Sequence, residues 1–477
     1  MLGLAQNAGH DLTNDPSAAD VLVVNTCAFI DSAKQESIDT ILEMAQHKKD
    51  GACRRLIVTG CLAERYREEL KAQIPEIDAV LGTGEVLEIV GAIGESPSRQ
   101  GGFGEPSSGS VAPLRFFGAH EAPVFGAHDA PGTQHPAPAP GTQHTAPAPS
   151  TQHSAPSTLP TYIYDADTPR LLATPKHYAY VKIAEGCDYK CAFCIIPTLR
   201  GKYRSRPSDS IVTEARALAA RGVKELLLIS QDTTFYGIDR HERGALARLL
   251  RELNTIDGLE WIRLLYLYPT TIDDATLAAM ADCDKVCKYI DLPLQHASNA
   301  VLKRMKRPGT RQSYDTLLGH IRSQVPGVAL RTTFIVGFPG ETSQDVDELC
   351  SFVEDHGFDH VGVFTYSHEE GTSAFGLDDD VPAKLKKARR SRVMGLQKRL
   401  VTGRQRARVG ERARIVVDGP SSDHELVLKG RLSSQAPDID ASVFLTDCDP
   451  SSFRAGDFAD VAIVGSRGYD LLARPLA

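Results

Sequence analysis

Between residue 172 and about residue 375 the chain alternates short apolar runs with amphipathic stretches six times in succession, and this alternation narrows the fold more than any other feature. The runs are YAYVKIA (178–184), KELLLIS (224–230), EWIRLLY (260–266), CKYIDL (287–292), ALRTTFIV (329–336) and DHVGVFTY (359–366). Helical patterns fill most of the gaps, as in SIVTEARALAARG (210–222) and YDTLLGHIRSQV (314–325). Strands joined through helices run parallel, and six such units predict a partial parallel barrel. Barrels of this kind build their sites at the C-terminal mouth of the strands.

The flanks read differently. Residues 1–92 form a smaller α/β unit, with strands in ADVLVVNTC (19–27), RRLIVTGC (54–61) and IDAVLGTGE (77–85). Its helices fall at 32–46, opened by a Ser32/Gln35 capping box, and at 62–74. Residues 93–160 are dominated by Pro, Ala, Thr, Ser and Gly, with His135, His144 and His153 recurring nine residues apart. Bulky apolar residues are too few there for a core, so the segment reads as a disordered insertion. The six-unit region extends over 172–402 and includes most of a basic helix at 384–408. Residues 403–477 hold five short β runs, RARIVVD, ELVLKGRL, SVFLTD, FADVAIVG and YDLLAR, which fit a small antiparallel barrel of OB type. The class is α/β, with a β module at the end.

Composition excludes several alternatives. The 477 residues are 42% hydrophobic and 24% charged, as in soluble globular proteins, and no run is long and apolar enough to cross a membrane. The start, MLGLAQNAGHDL, has no signal-peptide pattern, so a cytoplasmic protein is expected. Ten cysteines in a chain this long are no disulfide scaffold; clustered thiols in a reducing compartment bind metal or do chemistry. A net charge of −8 argues against a chain built throughout to grip nucleic acid.

Three of those cysteines, Cys187, Cys191 and Cys194, sit in EGCDYKCAFC directly after the first strand of the six-unit region. A zinc site is expected to show a second CxxC pair or histidines, and neither follows. Thiolates also suit iron–sulfur clusters, and three of them bind three irons of a cubane, leaving the fourth free for another ligand. Cys27 and Cys61 each end a strand of the N-terminal unit, and equivalent strand ends line one crevice. Two buried inert thiols are the plain alternative for that pair.

CxxxCxxC at the head of six βα units resembles the radical S-adenosylmethionine enzymes. The longer run NTCAFIDSAKQESIDTI, VTGCLAERY, AEGCDYKCAFCIIPTLRGKYRSRP, SQDTTFYG, LYLYPTTI, DLPLQHASNAVLKRMKRPGT and FIVGFPGET is similar to the methylthiotransferases among them, most closely those modifying small-subunit ribosomal protein S-twelve. The resemblance covers everything but the insertion. It implies an N-terminal methylthiotransferase domain, a radical domain and a C-terminal TRAM barrel, two 4Fe–4S clusters, and S-adenosyl-L-methionine as radical source and methyl donor. It assigns Cys187, Cys191 and Cys194 to one cluster, with Phe193 beside it, and Cys27 and Cys61 to the other. The family's third N-terminal cysteine lies on a segment that does not appear here. The chain opens in a helix-like stretch with no strand before it, which leaves a sheet edge uncovered and leads to the expectation of a late start. Cys53, at the beginning of a strand, is placed far from the crevice.

Position at strand exits also nominates Gln231 and Asp232 to hydrogen-bond the cofactor, with a capping turn as the alternative. Gly337 and Gly340 in GFPGE would let backbone approach a ligand closely. Arg200, Lys202, Arg204 and Arg206 could steer an acidic group, and a solvated loop is as good a reading for any one of them. His296 is read as a satisfied core histidine, and Cys283, Cys287, Cys350 and Cys448 as core or surface thiols. The substrate is narrowed to a protein aspartate or a tRNA adenosine. Residues 411–477 carry seven Lys/Arg against eleven Asp/Glu, which suits a basic ribosomal protein better than RNA, although the basic helix could touch RNA itself. Expected partners are ribosomal protein S-twelve or the small ribosomal subunit, an electron donor such as flavodoxin or ferredoxin, and a sulfur donor.

Overall fold

The structure, a computed structural model, describes residues 1–94, 113–118, 160–421 and 426–476. The N-terminal sheet holds β1 (Asp11–Leu12), β2 (Val21–Thr26), β3 (Arg55–Gly60), β4 (Ala79–Leu81) and β5 (Pro113–Gly118), in the order β1-β5-β2-β3-β4 with all pairs parallel. Leu22, Val24, Leu56 and Val58 are buried against helix Asp31–Asp50, which explains the continuous apolar runs. Two expectations are corrected. The helix starts at Asp31 with Ile30 as its cap and no capping side chain, so Ser32 already lies inside the first turn and cannot form the capping box. The 62–74 helix is two pieces, Cys61–Arg65 and Arg67–Gln73.

The third correction concerns the insertion. Six of its residues form β5, and five of them pair with β2 in the register Val21↔Leu114 to Asn25↔Gly118. The free edge expected beside β2 is thus covered from within the chain, because unpaired strand groups gain from any extended segment that reaches them. The rest of the repeat-rich reading, including its histidines, lies outside the described residues.

The middle region follows the alternation. Strands β6 (Tyr178–Lys182), β9 (Glu225–Ile229) and β10 (Trp261–Leu264) make one parallel sheet, and β11 (Tyr289–Asp291), β12 (Ala329–Val336) and β13 (His360–Thr365) another. A bridge between Ile262 and Val286 joins them into a six-strand partial barrel. A ribbon, β7 (Ala184–Glu185) with β8 (Arg204–Ser205), frames the exit of β6. The basic stretch is helix Ala383–Ala407.

Five strands close the C-terminal barrel: β14 (Arg412–Pro420), β15 (Leu428–Leu432), β16 (Val443–Leu445), β17 (Phe458–Arg467) and β18 (Asp470–Pro475). All five expected runs form strands, but β16 and β18 pair in parallel, so the barrel is not purely antiparallel. It covers the N-terminal ends of the central strands. Tyr178 donates to Asp438 at 2.9 Å, Tyr289 to Asp440 at 2.7 Å, and Trp261 meets Phe458 edge-on at 5.0 Å. Glu225, fully buried, lies 2.8 Å from both Arg263 and Arg431. Several acids of the barrel are therefore spent on docking, and the surplus left for a partner is smaller than composition suggests. Among the described residues no helix is long and apolar enough to cross a membrane.

Candidate iron–sulfur and cofactor site

The loop after β6 presents Cys187, Cys191 and Cys194 at the C-terminal mouth of the central strands, all free thiols and each partly exposed. Several bonds fix it. The Cys187 N–H donates to Gly201 O at 3.1 Å, the Cys194 N–H to Cys191 O at 3.1 Å, and the Ala192 N–H to Met305 O at 2.7 Å. Gly186 has φ +88°, and a Cβ there would sit 2.1 Å from Lys202 O, so only glycine lets the two loops touch. Burial pushes the Cys187 thiol up to about 11 and the Cys194 thiol up to about 12, and the neighbouring cysteine sulfurs add to both. A bound cationic centre reverses that balance by stabilising thiolates.

The surroundings are aromatic and cationic. Arg307 donates from Nη1 to Cys191 Sγ at 3.6 Å and lies 3.9 Å from the Tyr268 ring centroid. Tyr268 stacks on Tyr189 at 3.7 Å, and its hydroxyl is 4.0 Å from Cys191 Sγ. Phe193 packs at the edge of a cluster formed by Ala192, Val301, Met305 and Phe338. Sequence reasoning passed over Tyr189, Tyr268 and Arg307. All three lie inside quoted motifs, but nothing in their spacing marks them, because they come from separate loops. Tyr266 and Gln295, also at strand exits, hold φ of +59° and +74°, backbone that non-glycine residues rarely adopt.

The other nominated residues are engaged by the protein itself. Gln231 accepts from the Gly186 N–H at 2.8 Å, which makes it a support for the cysteine loop. Asp232 is 1% exposed and caps the following turn, accepting from the N–H groups of Thr234 and Phe235 at 2.9 and 3.1 Å; burial raises its pKa. Gly337 and Gly340 have left-handed φ, +76° and +74°, and a Cβ there would meet Lys386 at 2.3 Å and Arg304 at 3.3 Å. Arg206 is buried against Glu214, Arg204 binds backbone carbonyls, and Lys202 is exposed. His296 is fully buried and accepts from the Ser298 N–H at 2.9 Å. Cys283, Cys287 and Cys350 are buried in cores, and Cys448 packs against the C-terminal barrel core.

Cys27 and Cys61 leave the ends of β2 and β3, whose register Thr26↔Gly60 sets the two cysteines side by side. Burial, then Arg200 in the opposite sense, then Cys27 act on the Cys61 thiol, and the net effect raises it. Cys53 precedes β3, so the strand's six residues, about 20 Å, separate it from the crevice. The two cysteine sets are joined by one short helix, Ile196–Arg200, that starts two residues after Cys194. Ile195 and Leu199 enter the hydrophobic core of the N-terminal unit, and Arg200 donates from Nη2 to Cys61 Sγ at 3.5 Å. Among the described residues no three His, Cys, Asp or Glu side chains converge to hold a single metal ion. A cubane asks for something else, since each thiolate binds a different iron. Three thiols at the barrel mouth, with an arginine N–H on one sulfur, fit such a group; Cys27 and Cys61 fit as two ligands of another.

Family comparison agrees with the geometry. Residues 181–353 match the radical SAM superfamily, residues 1–82 Uncharacterized protein family UPF0004, and residues 409–476 the TRAM domain. The chain is 45% identical over its full length to the ribosomal protein uS12 methylthiotransferase RimO of Koribacter versatilis, of which 93% is covered. It is 43% identical over 99% of its length to the protein of the same name from Pelobacter propionicus, again with 93% covered. Among solved structures, the radical S-adenosylmethionine methyltransferase TsrM from Kitasatospora setae aligns with a TM-score of 0.46 and 15% identity, over 76% of this chain and 63% of that one. With identity this high across the whole chain, and with both cysteine sets set at strand ends, the chain belongs to the RimO family of radical SAM methylthiotransferases.

Proposed function

We propose that this chain adds a methylthio group to the β-carbon of an aspartate in ribosomal protein uS12, with one 4Fe–4S cluster on Cys187, Cys191 and Cys194 and a second at Cys27 and Cys61. The observation that carries the reading is the short helix Ile196–Arg200, which ties the two cysteine sets together. Replacing an unactivated C–H by C–S needs a hydrogen-abstracting centre and a sulfur source within reach of one substrate carbon. When bound, a cluster with an open iron supplies the electron that splits S-adenosylmethionine into a hydrogen-abstracting radical.

The protein's own residues then do the positioning. Arg307 holds Cys191, while Gly186 and Gln231 hold the backbone before Cys187. Tyr189, Tyr268 and Phe235 line the mouth with apolar surface that keeps water from a reactive centre. A cytoplasmic site, a flavodoxin- or ferredoxin-like electron donor and a separate sulfur donor complete the proposal.

The test is anaerobic reconstitution, iron and sulfide counting, and mass spectrometry of uS12 after turnover with S-adenosylmethionine. Two clusters, deoxyadenosine and a methylthio mass increase on one aspartate are expected. Methylthioadenosine in tRNA with unmodified uS12 would overturn the substrate, and absence of deoxyadenosine would overturn the enzyme class.

A further inference from the structure

All 61 Asp/Glu of the chain lie outside helix Ala383–Ala407, which holds ten of its 53 Lys/Arg. Half of the ten serve the fold. Lys386 pairs with Asp379 at 2.7 Å, Arg389 with Glu341 at 2.8 Å and Arg392 with Asp347 at 2.6 Å. Arg390 and Arg404 donate to Val363 O and Gly357 O at 2.9 and 2.6 Å. The other half, Lys384, Lys387, Lys398, Arg399 and Arg406, are exposed and have no hydrogen-bond or ion-pair partner among the described residues. Helix stability does not account for them. Lys384 stands in the first turn, where no acid occurs and the helix dipole disfavours a cation. Lys387, three residues on, adds like-charge repulsion.

The five share one side of the helix. At about 100° per residue they fall within an arc of about 120°. Small residues, Ala388, Ser391, Gly395 and Thr402, lie on that side between them, so another backbone can come close. The row is long. At its start, Lys386 Nζ lies 4.9 Å from the ring centroid of Tyr366, just after β13, which places Lys384 and Lys387 near the barrel mouth. At its end, Gln405 donates to Tyr469 O of the C-terminal barrel at 3.2 Å. From Lys384 to Arg406 the axis rises about 33 Å. A compact acidic protein docking at the mouth would leave most of that row uncovered. A membrane surface would need an apolar face beside the cations, and Val393, Leu396 and Val401 are buried against the barrel. An extended row of cations matches an extended row of phosphates.

We infer that this face of helix Ala383–Ala407 docks on the phosphate backbone of ribosomal RNA, so that the chain meets uS12 on an RNA-containing particle. The inference rests on the uS12 reading and deepens it. The barrel mouth takes the protein loop to be modified, and the helix takes the RNA around it. The five cations contact phosphates and carry no base specificity, which makes the binding strongly salt-dependent.

The experiment compares the reconstituted full chain with Lys398→Gln/Arg399→Gln/Arg406→Gln and with Lys384→Gln/Lys387→Gln. The probes are small ribosomal subunits carrying unmodified uS12, protein-free ribosomal RNA, and isolated uS12. Wild-type affinity for subunits should fall linearly with salt on a log–log plot. The slope should shrink by about two to three in the triple variant and by about one to two in the double variant, roughly one per cation lost. Affinity for subunits and for bare RNA near 0.1 M salt should fall at least about tenfold in the triple variant. With dithionite as reductant, its kcat/KM on subunits should fall by a similar factor through KM, while turnover of isolated uS12 stays at the wild-type value. If the triple variant has an altered circular dichroism spectrum, the double variant, which removes charges that oppose the helix, decides. Unchanged subunit binding with an unchanged salt slope overturns the inference, and so does an equal loss of activity on isolated uS12. A loss on subunits without one on bare RNA, or a defect that appears only when a flavodoxin-like donor replaces dithionite, would give the face to an acidic protein and overturn the occupant. A wild type that binds subunits with the expected slope and modifies neither substrate would sink the enzymatic reading and leave this surface standing.

Discussion

Arg65 Nη1 lies 3.0 Å from Glu369 Oε2, and this pair clamps the N-terminal unit to the central barrel. Arg65 sits on the helix that begins at Cys61 and also donates to Ala28 O, next to Cys27, at 3.1 Å. Glu369 is 1% exposed and takes Lys34 at 2.8 Å as well. One carboxylate from the barrel side therefore steadies both strand ends that carry the N-terminal cysteines. Glu369→Ala takes its carboxylate partner from the largely buried Arg65, which costs about 3–5 kcal/mol, while Lys34 keeps Asp31 at 2.6 Å. Hydrogen exchange should show faster amide exchange in helix Asp31–Asp50, while the C-terminal barrel is unaffected.

Gly186→Ala tests how tightly the cysteine loop is held. The added Cβ meets Lys202 O at 2.1 Å, and the residue keeps φ +88°, so clash and backbone strain act together. A local cost of about 1–3 kcal/mol is expected. Iron uptake by a Cys27→Ala/Cys61→Ala background, which isolates the central site, should drop with Gly186→Ala while far-ultraviolet circular dichroism stays the same.

Docking of the C-terminal barrel should depend on pH. Burial pushes Glu225 up, but Arg431 and Arg263 outweigh it and hold its pKa below the ordinary 4.5. Asp418 is likewise held below 3.8, burial being outweighed by His177 and Arg431. Carboxylates with lowered folded pKa values contribute fully above their unfolded values and lose the contribution as pH falls through the folded ones. The urea midpoint should therefore be flat above about pH 5 and drop in acid. Glu225→Gln should lower the midpoint at neutral pH, by about 3–5 kcal/mol in unfolding free energy, and flatten the acid limb.

The inserted strand makes a prediction of its own. Amides of 114–118, the residues paired with β2, should exchange slowly. Deleting 113–118 should speed exchange at Val21–Asn25, the residues that lose a neighbour. Fast exchange at 114–118 in the intact chain would contradict the pairing.

The sequence by itself determined the elements and most of the metal chemistry. Parallel strands bury both faces, so the central runs are continuous in apolar residues and readable one by one, and the Cys187, Cys191 and Cys194 spacing is local. What it could not determine were partnerships between distant segments. Nothing in PLRFFG announces that it will pair with β2, because a six-residue strand owes its place to the edge that receives it. Gln231 and Asp232 stand at a strand exit as expected, and backbone N–H groups around them bond to their side chains, a partnership the strand pattern does not reveal. Arg307, Tyr268, Arg200 and Glu369 reach the cysteine sites from separate elements. Their roles are set by distance and burial, which arise only when the three units pack together, and so only the tertiary structure could assign them.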